Sequence, residues 1–209
     1  MTKELQQLAM AKFAPEFVRK RMIGFEKDMR ICLTSVSHPT EPRSTVAFFP
    51  ALMLCCATLD YLACLYRGQM RKGGATVPML TAYAQSYLPQ PAYDSDVIRV
   101  LHESLRHSIA HQGIAARVWI DQHSLQQGRR ISWYTTTDSH GLGIKVVEEP
   151  GEADRSPWPC HFTHRSHVHI GALWRDIRDS ANSYARKLEC SPDLISKFSN
   201  CMESLFPPT

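Results

Sequence analysis

The sequence predicts a mainly α protein of one domain, carrying a small antiparallel β insertion after a chemically loaded helix. Three observations lead there. Apolar residues recur at helical spacing up to about Gly113 and again from about Leu173. Between them lie short stretches rich in Val, Ile, Thr, Trp and Tyr, separated by polar or glycine-bearing turns. And 209 residues, 44% hydrophobic and 21% charged, suffice for one core and are few for two.

Each element follows in order. Val18, Met22, Phe25, Met29 and Cys32 form a helical stripe, with Pro15 expected to open that helix after a shorter one. His38 to Ser44 is proline-broken and polar, hence a loop. An apolar helix from about Thr45 to Tyr66 is expected next, its exit marked by Gly68, Gly73 and Gly74. A helix over Val77–Leu88 ends at Pro89 and Pro91. Asp94 or Ser95 then caps a helix with the core stripe Ile98, Leu101, Leu105 and Ile109, stopping at Gly113.

Strands are expected at Ile114–Asp121, Ile131–Thr137 and Leu142–Glu148, and a loop at Gly151–Pro159. Leu173, Trp174, Ile177, Ala181, Tyr184 and Leu188 restore the helical period. Ser191 and Pro192 start a last helix. Neither flank buries its apolar faces alone, so 1–209 reads as one domain. Within it, 45–113 is the motif-bearing core, 114–169 a β elaboration and 170–205 the C-terminal helices.

The opening residues are too charged and too helix-patterned for a secretory signal. Seven cysteines without a C-x-x-C pair, three of them in the apolar run, suit a reducing cytosol. That run is long enough to span a bilayer, but Pro50 interrupts it and Asp60 would sit in hydrocarbon, so a buried central helix is expected. The net charge of +4 permits a nucleic-acid partner without demanding one.

The dense chemistry lies in the helix from Asp96 to His111, which holds His102, Glu103, Arg106, His107 and His111. His107 and His111 are i, i+4 neighbours. Arg106 stands roughly 140° around a straight α-helix from His111 and about 7.5 Å along it, so one such helix does not clasp a ligand between them. Unwinding of the last turn, or a second copy of the helix alongside, would bring them together. Imidazole near its titration point beside a permanent guanidinium suits phosphoryl chemistry: one moves a proton, the other grips phosphate oxygens in two prongs.

Arg106-His107-Ser108-Ile109-Ala110-His111 resembles the R-x(4–6)-H signature of the HEPN superfamily, helical nucleotide-binding and RNase domains. His107 is of the residue type that follows the arginine there. The resemblance covers mainly Thr45 to Gly113 and implies a HEPN-like up-and-down helical bundle. It also implies a cofactor-free, metal-independent endoribonuclease that dimerises through the motif helix. In that reading His111 is general acid/base, Arg106 stabilises the phosphorane, and cleavage leaves a 2′,3′-cyclic phosphate. His107 and Asp60 would be substrate-binding, RNA the partner, the cytoplasm the location. The family also holds non-catalytic members that bind RNA, nucleotide or protein, and that alternative stays open. Toxin members paired with an antitoxin carry a tyrosine shortly after the motif histidine; Gln112 to Val118 holds none, so a cognate antitoxin is not indicated.

Cys160, His161, His164, His167 and His169 are the second dense cluster. They match no defined zinc pattern, and a histidine-rich strand edge is the expectation. Asp60, in an apolar helix, needs a partner: either a structural hydrogen bond to a nearby helix or the guanidinium of Arg106. The basic groups at Arg19–Arg21, at Arg67, Arg71 and Lys72, and at Arg129–Arg130 read as solvated faces, unless those near Arg67 share a surface with Arg106 and track phosphates. No P-loop, dinucleotide-binding or G-x-S-x-G pattern occurs.

Overall fold

The computed structural model describes residues 3–34, 36–38, 41–45, 47–70, 73–107, 118–122, 128–153 and 160–205. The chain is mainly helical with a small mixed four-stranded sheet. Helix α1 spans Lys3–Leu33, then come a ribbon of β1 (Val36–His38) and β2 (Glu41–Thr45), α2 (Phe48–Arg67), α3 (Val77–Tyr87) and α4 (Ser95–Arg99). Helix α4 runs directly into a π-helical segment, Val100–His107. The sheet strands are β3 (Val118–Ile120), β4 (Arg130–Thr136), β5 (Ile144–Ala153) and β6 (Cys160–His169). Helices α5 (Ile170–Leu188) and α6 (Pro192–Leu205) follow.

Helix α2 is central. Leu52, Cys55, Leu59, Leu62 and Leu65 are buried along it, as is Asp60. Pro50 falls in its first turn, where a missing N–H costs nothing. It ends at Gly68, whose left-handed φ of 70° lets its N–H reach the carbonyls of Cys64 and Leu65. It is the one described helix long and apolar enough to cross a membrane, and 61% of its apolar window is buried inside the fold, as in a core helix. Its cysteines join the same core, where burial pushes the Cys56 thiol up to about 12.

Around it pack α1, through Val18, Met22 and Met29, then α5 and α6. Tyr66, Tyr83, Tyr87 and Tyr184 form an aromatic knot between α2, α3 and α5, mostly edge to face. Ile144 and Val168 bring the inner face of the sheet into the same core, so helices and sheet share one interior.

Several expectations need correction. Helix α1 is continuous through Pro15, which lies inside it rather than opening a second helix. His38–Ser44 is not simply a loop, because the β1–β2 ribbon runs through it and α2 starts at Phe48 rather than Thr45. The sheet is mixed, not antiparallel: in the order β3-β4-β6-β5, β4 and β6 run parallel. The histidine-rich strand is interior, not an edge. Strand β5 continues to Ala153, through residues expected to form a loop; its register shifts between Glu148 and Gly151, and Pro150 is tolerated there because β5 is an edge strand.

Candidate functional site

The site grows from a buried carboxylate. Asp60 sits on the core-facing side of α2, one turn from Cys56, and is 8% exposed. An ionised carboxylate there needs a counter-charge, and the π segment supplies it. Arg106 Nη2 lies 3.1 Å from Asp60 Oδ2, and the same nitrogen donates to the Gly73 carbonyl at 2.8 Å. Burial raises the Asp60 carboxyl to about 6; the Arg106 guanidinium pulls the other way and burial wins.

Gly74 closes over this pair. Its φ is +80°, and a Cβ built there would stand 2.5 Å from Asp60 Oδ2 and 2.8 Å from Arg106 Nη2. Only glycine allows both the conformation and the approach. Beneath lies a cavity of about 10 Å³ between Cys56, Leu80, Leu101, His102 and the ion pair. His102, 8% exposed, donates from Nε2 to the Ala75 carbonyl at 3.1 Å, since a carbonyl can only accept. The 73–75 backbone is thus fastened to the π segment at two points.

Among the described residues, the approaches of Arg106 to Asp60 and to the Gly73 carbonyl both run through Nη2. Both forks of a guanidinium, Nε–Nη2 and Nη1–Nη2, include Nη2, so one held at that nitrogen offers an oxyanion its remaining single donors rather than an intact two-pronged edge. The side chain is 17% exposed, so most of it is screened by protein.

The structure thus brings Asp60 and Arg106 together. His107 closes the π segment, while His111 lies outside the described residues, with the rest of 108–117. The π winding, with its i→i+5 pattern, replaces the straight α-helix used to place Arg106 relative to the histidines.

A second cluster flanks 108–117 on both sides. Arg99 donates to Asp121 Oδ1 and Oδ2, each at 2.7 Å, and to Asp96 Oδ1 at 2.7 Å; Glu103 lies 3.6 Å from its Nη1. Arg129 donates to Asp96 at 2.8 and 2.9 Å and to Asp121 at 2.9 Å. Trp119 stacks under Arg99, its ring centroid 5.6 Å away. Asp121 is fully buried, and both guanidinia hold the Asp96 carboxyl below its ordinary range against the burial that would raise it. Arg129 is therefore not part of a solvated face: its side chain is 8% exposed. Asp96 and Arg99 at i, i+3 and Glu103 one turn further on are the local trace of this ring, whose buried carboxylate Asp121 and second arginine Arg129 come from beyond 108–117.

The histidines of β6 do not converge. Strand alternation puts His161, His167 and His169 on one face and His164 on the other. His164 meets Thr163 Oγ1, His167 meets Glu149 and His169 meets Thr136 Oγ1. Among the described residues, no group of three His, Cys, Asp or Glu is placed to hold a metal ion. Of the basic group near Arg67, Arg71 and Lys72 lie outside the described residues.

Comparison with protein-family models, with curated proteins and with solved structures finds no match for this chain.

Proposed function

We propose that this chain is a HEPN-like, metal-independent endoribonuclease of the cytoplasm, acting as a homodimer that joins two copies of the motif helix. The observation that carries the reading is the way Arg106 is held: among the described residues it is fixed through Nη2 by Asp60 and Gly73, and Nη1 and Nε are the donors proposed to meet phosphate. Asp60 then acts behind the arginine as a positioning residue. In the reaction, imidazole of His111 takes the proton from a ribose 2′-hydroxyl. The 2′-oxygen attacks phosphorus, Arg106 steadies the extra negative charge on the phosphorane, and the departing 5′-oxygen receives a proton. The products are a 2′,3′-cyclic phosphate and a 5′-hydroxyl.

A second reading is a non-catalytic HEPN-type module that binds RNA, nucleotide or protein. It is favoured by the low exposure of Arg106, which is what a structural ion pair shows.

Cleavage of a fluorogenic RNA separates the two. The nuclease reading expects cleavage that persists in EDTA, since imidazole and guanidinium suffice, and cyclic-phosphate ends on the products. His111→Ala should lower the rate by a factor on the order of 10² to 10⁴ while RNA binding stays. A wild-type protein that binds RNA and never cuts it leaves the binding module standing. Cleavage abolished by EDTA and restored by zinc contradicts the proposed chemistry.

A further inference from the structure

The outer face of the sheet carries features that the Arg106 site does not use. Strand register places Tyr134 of β4, His167 of β6 and Lys145 of β5 side by side in one row. Tyr134 is 50% exposed, an unusual setting for a large aromatic in the middle of a strand, and its ring lies 5.9 Å from that of His167. Beside this row runs a groove of about 380 Å³ lined by Leu142, Lys145, Val147, His167 and His169. Thr136 engages His169 through Nδ1 at 2.8 Å, which leaves Nε2 as the ring's other polar atom.

Charge on this face is mixed but organised. Among the described residues, Arg130, Lys145 and Arg165 are its cations and Glu149 and Glu152 its anions. Glu149 is already taken, 2.9 Å from Arg165 Nε and 2.9 Å from His167 Nε2. Glu152 stands opposite His161, at the far end of the β5–β6 pairing from Lys145. Among the described residues lining the groove, Lys145 carries a full positive charge, with two imidazoles beside it and the Glu149 carboxylate against one of them, His167.

We propose that this face is a binding platform for single-stranded RNA. An unpaired base stacks on Tyr134, the apolar wall of Leu142 and Val147 takes a second hydrophobic surface, and Lys145 with His169 Nε2 meets the backbone phosphate. Tyr134 and Lys145 are two strand spacings apart, about 10 Å, a reach suited to base and phosphate of one extended stretch of strand. Exposed aromatics on a sheet face recognise splayed bases, whereas a duplex keeps its bases stacked and hidden from such a ring. The platform is a holding surface separate from the cleavage site, and it is tested by binding alone, so either assignment can fail without the other.

The test is fluorescence anisotropy with a 5′-labelled 2′-O-methyl oligouridylate of roughly 12 nucleotides, whose blocked 2′-oxygen cannot be cleaved. Tyr134→Ala is expected to weaken binding about 5- to 100-fold, and Tyr134→Phe to stay within about twofold, because the ring face does the stacking. Lys145→Glu should weaken binding and lower the salt dependence by about one phosphate contact. Both positions are exposed, and thermal melts confirm that the variants fold. The proposal is overturned if the wild type fails to bind at ~50 μM protein in low salt, or if Tyr134→Ala and Lys145→Glu bind as the wild type does. A duplex of equal length that binds as tightly overturns the single-strand assignment. So does adenosine monophosphate competing as well as the strand, and so does an equal loss in Tyr134→Phe and Tyr134→Ala.

Discussion

Two arginines seven residues apart on one continuous helical stretch are held in opposite ways. Arg99 gives three hydrogen bonds to the carboxylates of Asp96 and Asp121 and rests on the Trp119 ring. Among the described residues, Arg106 is tethered through Nη2 to one carboxylate and one carbonyl. The difference teaches how to tell a guanidinium that builds a fold from one that can still act. A saturated fork has nothing left for a ligand. A fork pinned at one corner is oriented and still has donors to give. Burial alone does not separate them, since the two side chains are 15% and 17% exposed.

The largest effect is expected where the ring is broken. Asp121→Ala removes a fully buried carboxylate and leaves Arg99 and Arg129 partly uncompensated. Loss of one partner from such a cluster costs about 3–5 kcal/mol. For a chain of this size that lowers the melting temperature by on the order of 10 °C. A melt within a degree or two of wild type would show that the ring is incidental to stability.

Gly74→Ala is expected to come next. Its Cβ has no room beside Asp60 Oδ2, and a left-handed φ strains any residue with a side chain. Destabilisation of about 1–3 kcal/mol is expected, together with release of Arg106. If denaturant unfolding shows no loss, the 73–74 backbone does not press on the ion pair as described.

A smaller and more diagnostic effect concerns pH. The Asp60 carboxyl titrates near 6 in the fold, against an ordinary value near 4 in the unfolded chain. Between those values the folded protein holds the extra proton, so the stability Asp60 contributes is present below about pH 4 and is lost as pH rises through 6. Asp60→Asn cannot follow that slope. Relative to wild type it should therefore gain stability from pH 4 to pH 7, by on the order of 2 kcal/mol. A wild-type-minus-variant difference that stays constant, or moves the other way, removes the buried-acid account.

What was legible in the sequence was set by local period. Helices α3, α5 and α6 lie where apolar spacing and caps put them, and Asp94 caps α4 by accepting from the Val97 N–H at 2.8 Å. The Arg106 and Asp60 partnership was legible as one of two alternatives, because a carboxylate in an apolar helix demands a donor. Less was readable where long-range pairing decides. The parallel register of β4 and β6 joins residues about thirty apart and leaves no mark in either strand's alternation. The Arg99–Asp121 ring is hidden for the same reason. The π winding of Val100–His107 uses residues that suit an α-helix equally well. Gly74 reads as one more helix-exit glycine until the ion pair beneath it is seen.

The most direct measurement of the central claim sets Arg106→Lys against Arg99→Lys, with RNA cleavage and thermal melts run on the same preparations. Lysine keeps the charge and loses the planar fork. If Arg106 is oriented to grip phosphate, Arg106→Lys cuts the cleavage rate by a factor on the order of 10², well beyond what the loss of its Asp60 and Gly73 contacts takes from the folded fraction. Arg99→Lys should lower the melting temperature and lose activity only in proportion to the unfolded fraction. Activity in Arg106→Lys that falls only as far as its stability does would make both arginines structural and contradict the account.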